Sequence, residues 1–179
     1  AGATRIPLSL RRATHVVAVS QFTKDEIITY YGTPADKITV VPNAVMLHSE
    51  PGVTAQTVRA QYNLPQHYIL ALGTMQPRKN IPFLIDVFAR LRTRMPELHL
   101  VLVGKKAHNF DDAIEQHIAS SPDLGAHIVR LGYISDAEKY IVYQLADAFV
   151  FPSLYEGFSV PILEALTAQT LVVASDIPP

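Results

Sequence analysis

The sequence has no cysteine, no tryptophan and no long apolar run. Without cysteine, the chain can form neither a disulfide nor a thiolate metal site, which allows a reducing compartment. No apolar stretch approaches the roughly 20 residues that a helix needs to cross a bilayer, and no signal-peptide-like apolar block follows the N-terminus. We therefore expect a cytoplasmic location. The absence of an initiator methionine predicts a fragment or a processed chain.

A large excess of charge of either sign is also missing. The chain carries 15 basic and 16 acidic residues, which gives a net charge of −1 at pH 7. Because binding to nucleic acid depends on clustered lysine and arginine, this balance argues against a nucleic-acid partner. The charges are spread along the chain, so a local basic pocket remains open.

Several motifs of metal and cofactor chemistry are absent. The seven histidines show no metal-ligand spacing, and the sequence contains neither H-E-x-x-H nor Asp-x-Asp. The dinucleotide fingerprint G-x-G-x-x-G and the hydrolase motif G-x-S-x-G are missing as well. The sequence thus predicts no bound metal and no cofactor.

Apolar runs that alternate with amphipathic stretches dominate the chain, of which 49% is hydrophobic. The runs predict strands and the amphipathic stripes predict helices, with Ser20 as the N-cap of the first helix. The predicted strands are 15–20, 38–41, 68–73, 99–104, 128–132, 148–153 and 171–175. The predicted helices are 21–31, 55–62, 81–92, 111–119, 136–145 and 160–168.

This alternation predicts an α/β fold with a Rossmann-like, doubly wound parallel sheet. Strands this apolar are covered on both faces, and strands that alternate with helices form right-handed βαβ units. Ligands of such sheets bind outside the carboxyl ends of the strands. The residues at those ends are Gly73, Gly104, Gly132, Ser153 and Ser175.

The turn after the predicted strand 68–73 combines a glycine with two cations. Gly73 permits a sharp turn and the close approach of a ligand, and Arg78 and Lys79 come just before the predicted helix 81–92. Cations are unfavourable beside a helix N-terminus unless an anion binds there too. We therefore predict a phosphate site, and the alternative is a solvated basic pair at a helix start.

The loop after the predicted strand 148–153 leads into a helix start that offers backbone donors. Ser159 is the expected N-cap, and Pro161 suits the first turn, where its missing N–H costs nothing. The N–H groups of Phe158, Ser159 and Val160 then face the ligand crevice. They can hold a phosphate without any side chain.

Glu156 and Glu164 flank this helix start, one on the loop and one about a turn into the helix. A carboxylate does not favour a phosphate, but it can accept two hydrogen bonds from a vicinal diol. The pair therefore indicates a ligand with hydroxyls on both sides of a phosphate, such as a nucleotide sugar. Spacing alone leaves open that the two glutamates are unrelated and structural.

Four segments follow one another along the chain: AVSQFTK at 18–24, VPNAV at 41–45, LGT with PRKN at 72–80, and EGFSVPILEAL at 156–166. In this order they resemble glycosyltransferase family 4, whose fold is called GT-B. The first is similar to the end of that family's N-terminal domain and the second to its interdomain crossover. The third is similar to the opening of the C-terminal domain, and the fourth to the E-x₇-E donor-binding motif.

The resemblance implies a role for each matching residue. Glu156 would bind hydroxyls of the donor sugar, Glu164 the ribose diol, and Lys79 the diphosphate of the leaving group. Thr74 stands where many members carry an arginine after the glycine that is Gly73 here, and Arg78 is the candidate substitute. The other implied donor contacts are the backbone of Phe158, Ser159 and Val160 near the phosphates or sugar, and Tyr133 and Ile134 near the base.

The implied activity is hexose transfer, with retention of anomeric configuration and without a metal, from a GDP-sugar or UDP-sugar to a glycan, lipid or small acceptor. The Thr, Pro, Arg, Lys and Asn of the turn at 74–80 resemble the mannosyltransferase-like branch. Two alternatives remain open. One is a nucleotide-sugar epimerase of the same fold, and the other is a non-catalytic nucleotide-binding module.

The resemblance also predicts the domain organisation. Residues 1–43 would be a remnant of the N-terminal GT-B domain, 44–66 a linker, and 67–179 the nucleotide-sugar-binding domain, truncated at both ends. The fragment alone would bind a nucleotide weakly and transfer no sugar, because the acceptor site belongs to the missing domain. The apolar segment 16–19 would favour self-association of the fragment. The full-length enzyme would be cytoplasmic, or peripheral at the inner face of the membrane.

Overall fold

The computed structural model describes residues 5–46, 49–104, 112–119 and 122–178. By their contacts these residues form two compact units. Unit 1 comprises the chain up to residue 44 together with 156–160 and the residues from 177 onward. Unit 2 comprises 45–155 and 161–176.

The described part of unit 1 contains a small parallel sheet and two α-helices. The elements are α1 (Arg5–Arg12), β1 (Val16–Ala18), α2 (Gln21–Tyr31) and β2 (Ile38–Val40). Ser20 caps α2, because its side-chain oxygen accepts a hydrogen bond from the Thr23 N–H at 3.0 Å. This confirms the predicted cap. Gly32 ends the helix in a left-handed conformation, with φ of 63°.

Five parallel strands form the sheet in the described part of unit 2. They are β3 (Tyr68–Leu72), β4 (His99–Val103), β5 (Ile128–Gly132), β6 (Ala148–Phe151) and β7 (Val172–Ala174). Their order across the sheet is β5-β4-β3-β6-β7, and every neighbouring pair is parallel. The helices along this stretch are α3 (Ala55–Tyr62), α4 (Ile81–Arg92), α5 (Asp112–Ala119), α6 (Pro122–Ala126), α7 (Asp136–Leu145) and α8 (Val160–Thr167).

The sheet of unit 2 buries both faces of its strands β3 and β4. Because side chains alternate along a strand, Tyr68 and Leu70 of β3 lie in one core cluster while Ile69 and Ala71 lie in the other. Helices α3, α7 and α8 contribute to the first cluster, and α4, α5 and α6 to the second. Helices on both faces of a parallel sheet make the doubly wound fold, so the predicted fold class is confirmed.

The structure differs from the sequence prediction mainly at the ends of elements. The predicted strand 128–132 coincides with β5, the predicted strand 15–20 is three residues longer than β1, and the others are one or two residues too long. The strands predicted to end at Gly73 and Gly104 stop one residue earlier, because these glycines leave the ladder with φ of 138° and 147°. Residue 111, the first of a predicted helix, lies outside the described residues. Helix α1 was not predicted, since Ile6, Leu8 and Leu10 alternate as in a strand.

Candidate functional site

The order of the strands in unit 2 creates a crevice beside β3. From β3 the chain proceeds to β4 and β5 on one side, and it then returns to place β6 and β7 on the other side. The connections that leave β3 and β6 therefore diverge at their carboxyl ends. Such a topological switch point is where open α/β sheets bind their ligands.

The turns that follow β3 and β6 are joined by hydrogen bonds. The turn after β3 continues into a short 3₁₀-helix, Pro77–Lys79, directly before α4. Its Arg78 carbonyl accepts a hydrogen bond from the Leu154 N–H at 2.8 Å. The Arg78 guanidinium donates to the Tyr155 carbonyl at 3.3 Å and to Gln76 Oε1 at 3.2 Å. Arg78 thus connects the two turns from an exposed position.

Lys79, the neighbouring cation, is buried, with an exposed fraction of 8%. Its Nζ lies 4.3 Å from the centre of the Phe151 ring at the end of β6, which is within the range of a cation–π interaction. A Cβ atom on Gly73 would lie 3.4 Å from Lys79 Cε. The lysine therefore packs closely over the glycine that follows β3, and its charge is held at the carboxyl ends of the strands.

Ser153 lies beside Lys79 and is fully buried. Both residues line a small cavity of about 10 Å³, together with Gly73 and Phe151. The Ser153 hydroxyl has no hydrogen-bond partner within the described part of the chain. A cavity of this volume holds about one water molecule, and buried polar groups of proteins are ordinarily satisfied in that way. A cation and a hydroxyl thus converge at the switch point.

Glu164 lies about one turn into α8, as predicted, and it is buried against α7. Its Oε1 accepts a hydrogen bond from Lys139 Nζ at 2.7 Å, and its Oε2 accepts one from the Tyr143 hydroxyl at 3.0 Å. Lys139 Nζ also lies 2.9 Å from Asp136 Oδ1. The side chain of Glu164 remains 11% exposed.

The contacts with Glu164 raise the pKa values of both of its partners. Burial opposes the charge of Lys139, but hydrogen bonds and attraction from Glu164 and Asp136 outweigh it and hold the pKa of Lys139 above its ordinary value. Burial, followed by the negative charge of Glu164 and the hydrogen bond to it, raises the pKa of Tyr143 well above its ordinary value. Tyr143 therefore acts as a hydrogen-bond donor at any physiological pH.

The segment 156–160 belongs to unit 1 by its contacts. The Gly157 carbonyl accepts hydrogen bonds from Ser20 Oγ at 2.6 Å and from Thr23 Oγ1 at 3.3 Å. The N-cap of α2 thus also anchors this loop. Glu156 is buried, with an exposed fraction of 8%, and the adjoining residues Phe158, Ser159 and Val160 are partly exposed.

The remaining predicted site residues follow β3 and β5. Thr74 is partly exposed, and its carbonyl accepts a hydrogen bond from the Gln76 N–H at 2.8 Å. Tyr133 is 73% exposed at the carboxyl end of β5. Ile134 is buried in the core cluster with α7, which leaves only its backbone for a ligand.

Sequence reasoning missed Lys139, Tyr143 and Ser153 as parts of the site. Lys139 and Tyr143 are four residues apart on α7 and therefore lie on one face of the helix. That spacing was visible in the sequence, but Glu164 follows 21 residues after Tyr143 and only the fold brings it near. Ser153 was identified as a strand end, without a role for its hydroxyl.

The described residues contain neither a cluster of metal ligands nor a membrane-spanning helix. No group of three or more histidine, aspartate or glutamate side chains is placed to hold a metal ion. In the same part of the chain, no helix is long and apolar enough to span a bilayer.

Comparison with known families decides the classification. The family model described as "Glycosyl transferases group 1" matches residues 55–179, which is more than half of the chain. The chain belongs to this glycosyltransferase family. A second model, "Glycosyltransferase Family 4", matches residues 3–48. The resemblance on the four sequence segments is therefore confirmed.

Curated relatives of this glycosyltransferase chain include two O-antigen enzymes. The chain is 37% identical over 174 residues to O-antigen chain mannosyltransferase B of Escherichia coli. It is 30% identical over 173 residues to O-antigen chain mannosyltransferase RfbU of Salmonella typhimurium. These alignments cover 94% and 97% of the chain but 45% of each relative. The chain thus spans about half the length of the curated relatives it matches.

Solved glycosyltransferase structures share the fold. HepE from Anabaena, solved in complex with UDP and glucose, superposes with a TM-score of 0.77 at 23% identity, over 94% of this chain and 46% of HepE. Sucrose-phosphate synthase from Thermosynechococcus elongatus superposes with a TM-score of 0.72 at 25% identity, over 96% and 43% of the two chains. The predicted Rossmann-like fold of a GT-B enzyme is confirmed by these neighbours.

Proposed function

We propose that this chain supplies the donor-binding half of a retaining, metal-independent glycosyltransferase. The observation that carries the proposal is the buried cation Lys79 at the topological switch point, on a chain whose buried Glu164 is held by two donors. A cation suits a diphosphate and a carboxylate suits a diol. A nucleotide sugar presents both groups in one molecule.

Lys79 is proposed to stabilise the nucleoside diphosphate as it leaves. Negative charge grows on the diphosphate when the bond to the sugar breaks, and a cation fixed in place beforehand stabilises that charge without rearranging. Its burial over Gly73 and beside Phe151 supports such a fixed position. Arg78, exposed on the same turn, would contribute a weaker and more strongly screened attraction.

Glu164 is proposed to bind the ribose diol and Glu156 the hydroxyls of the donor sugar. Their place in the motif EGFSVPILEAL supports these roles. Gly73 and Thr74 would approach the donor on the other turn. The further proposed contacts are the backbone of Phe158, Ser159 and Val160 near the phosphates or sugar, and Tyr133 and Ile134 near the base.

For the transferred sugar we propose a hexose, with mannose first. The 37% identity to a named mannosyltransferase supports mannose as the sugar. The structure of HepE in complex with UDP supports UDP as a nucleotide that this fold can bind. The donor is therefore proposed to be a GDP-sugar or a UDP-sugar. The acceptor, a glycan or lipid, would bind through a preceding domain, of which residues 1–43 are the closing segment and 44–66 the linker.

Replacing Glu164 by glutamine is expected to weaken the binding of UDP and GDP about 10-fold to 100-fold, because a hydrogen bond to a charged group contributes roughly 1.5–3 kcal/mol. The affinity for inorganic pyrophosphate is expected to stay unchanged, since pyrophosphate has no ribose. Isothermal titration calorimetry on the chain measures both affinities.

Glu115→Gln is the matched control for Glu164→Gln. It also removes a carboxylate that accepts a hydrogen bond from a cation, here Arg130 at 2.7 Å, in a different part of unit 2. This variant should bind UDP, GDP and pyrophosphate like the unchanged chain. Equal losses for pyrophosphate and nucleotide in Glu164→Gln, or no loss for either, would contradict the assigned role.

A further inference from the structure

We propose that Tyr143 and Lys139 are positioning residues that orient Glu164 so that the site selects ribonucleotides over 2′-deoxyribonucleotides. The inference rests on the proposed function, and it adds a specificity determinant on a helix that lies outside the E-x₇-E motif. Neither residue is assigned contact with the donor itself.

The geometry of α7 places both donors on Glu164. Lys139 and Tyr143 are one helical turn apart, so their side chains leave the same face of α7. Lys139 Nζ donates to Oε1 and the Tyr143 hydroxyl donates to Oε2, at 2.7 and 3.0 Å. Because each oxygen has its own donor, the carboxylate plane is fixed against rotation about its terminal bond.

Counting acceptor positions shows what this arrangement leaves for a ligand. A carboxylate offers about four lone-pair positions, two on each oxygen. Lys139 and Tyr143 occupy one position on each oxygen of Glu164. One position then remains on each oxygen, which matches the two hydroxyl donors of a vicinal diol. A carboxylate with both donors on one oxygen would not present this symmetrical pair.

The two donors are themselves held in place. Tyr143 is fully buried, its ring meets Phe149 edge-on at 5.2 Å between ring centres, and its carbonyl accepts a hydrogen bond from Thr170 Oγ1 at 2.7 Å. Lys139 also forms an ion pair with Asp136, at 2.9 Å. Positions that are fixed by packing and by further hydrogen bonds are what a precise binding geometry requires.

Stability alone gives a weak reason for this cluster. Buried ion pairs contribute little net stability, since desolvation offsets their attraction, and apolar residues of similar volume often do as well. The Glu164 carboxylate is nevertheless held by two donors, in a side chain with only 11% of its surface exposed. The proposal places the diol at that exposed part of the side chain.

The test compares Tyr143→Phe with the unchanged chain in the binding of UDP, GDP, 2′-deoxy-UDP and 2′-deoxy-GDP, measured by calorimetry. We expect the variant to lose about fivefold to tenfold in affinity for the ribonucleotides. It should lose less for the 2′-deoxy forms, so the ratio between the two affinities falls toward one. A purely structural role would weaken both forms equally and leave the ratio unchanged, which would overturn the proposal.

Tyr140→Phe is the matched control, because it removes a phenolic hydroxyl from the same helix. That hydroxyl accepts a hydrogen bond from Gln144 at 2.9 Å and makes none with Glu164. It should leave the ratio as it is. Lys139→Met provides a second variant in case Tyr143→Phe fails to fold. It should also lower the ratio of ribonucleotide to 2′-deoxyribonucleotide affinity. Lys139→Arg keeps the charge and should restore part of that ratio. An unchanged ratio in Lys139→Met would also overturn the proposal.

The outcome separates this inference from the proposed function. Ribonucleotide binding that is lost in Glu164→Gln but insensitive to Tyr143 and Lys139 would leave the function standing and remove the positioning role. An unchanged chain that binds no nucleotide would remove both.

Discussion

Replacing Gly104 by alanine is expected to destabilise unit 2 by about 3 kcal/mol or more, the combined effect of overpacking and backbone strain. Gly104 directly follows β4 with φ of 147°, and an added Cβ would lie 1.9 Å from the Gly73 carbonyl oxygen and 2.8 Å from its carbon. Both atoms belong to the backbone, so no side-chain rotation relieves the contact. Chemical denaturation followed by circular dichroism measures the free energy of unfolding.

Gly104→Ala is also expected to displace Lys79, because Lys79 packs against Gly73, the residue that the added Cβ would meet. Gly132→Ala separates this collision from simple backbone strain. Gly132 lies on the same edge of the sheet with φ of 61°, and an added Cβ would meet no atom within 4 Å. Its expected cost is about 1–2 kcal/mol. Equal losses in the two variants would contradict the close approach of Gly104 to Gly73.

Replacing Lys79 by methionine is expected to weaken the binding of pyrophosphate, UDP and GDP to the same extent, by about 10-fold to 100-fold. Methionine keeps an unbranched chain that can pack against Phe151, while it removes the charge that a diphosphate would meet. The common loss distinguishes this variant from Glu164→Gln, which should spare pyrophosphate. Calorimetry with the three ligands measures the pattern.

Arg78→Met is the natural comparison, because the two cations are adjacent but differ in burial. Solvent and salt screen an exposed charge. We therefore expect Arg78→Met to lower the affinity for the three ligands by about threefold or less. A larger loss in Arg78→Met than in Lys79→Met would move the phosphate site to the exposed arginine. No loss in either variant would remove this turn from the site.

Much of the fold could be predicted because local signals agreed with one another. Ser20 stands where a hydroxyl caps a helix, and the apolar positions 81, 84, 85 and 88 form the stripe that α4 buries. The continuous apolar run 68–72 signalled a strand that is covered on both faces. Helix α1 lacked such agreement, since its apolar residues alternate as in a strand.

The site could be predicted only where its residues are close in sequence. Arg78 and Lys79 lie in the turn between a predicted strand and a predicted helix, and Glu164 lies in a recognisable motif. The difference in burial between Arg78 and Lys79 could not be predicted. The two residues are adjacent on one turn, and only the folded structure determines which of them faces the protein and which faces solvent. The contact of Glu164 with Tyr143 depends on how α7 and α8 pack on the sheet, and no local pattern encodes that packing.

The most direct test of the central claim is an NMR titration of the ¹⁵N-labelled chain with UDP and GDP up to millimolar concentration. The proposed function predicts saturable shifts for amides at the carboxyl edge of unit 2, around Gly73, Lys79 and Glu164. Amides at the opposite edge, around Gln66 and His67, should not move. The absence of saturable shifts with either nucleotide, or shifts confined to the opposite edge, would contradict the claim that this chain binds the donor.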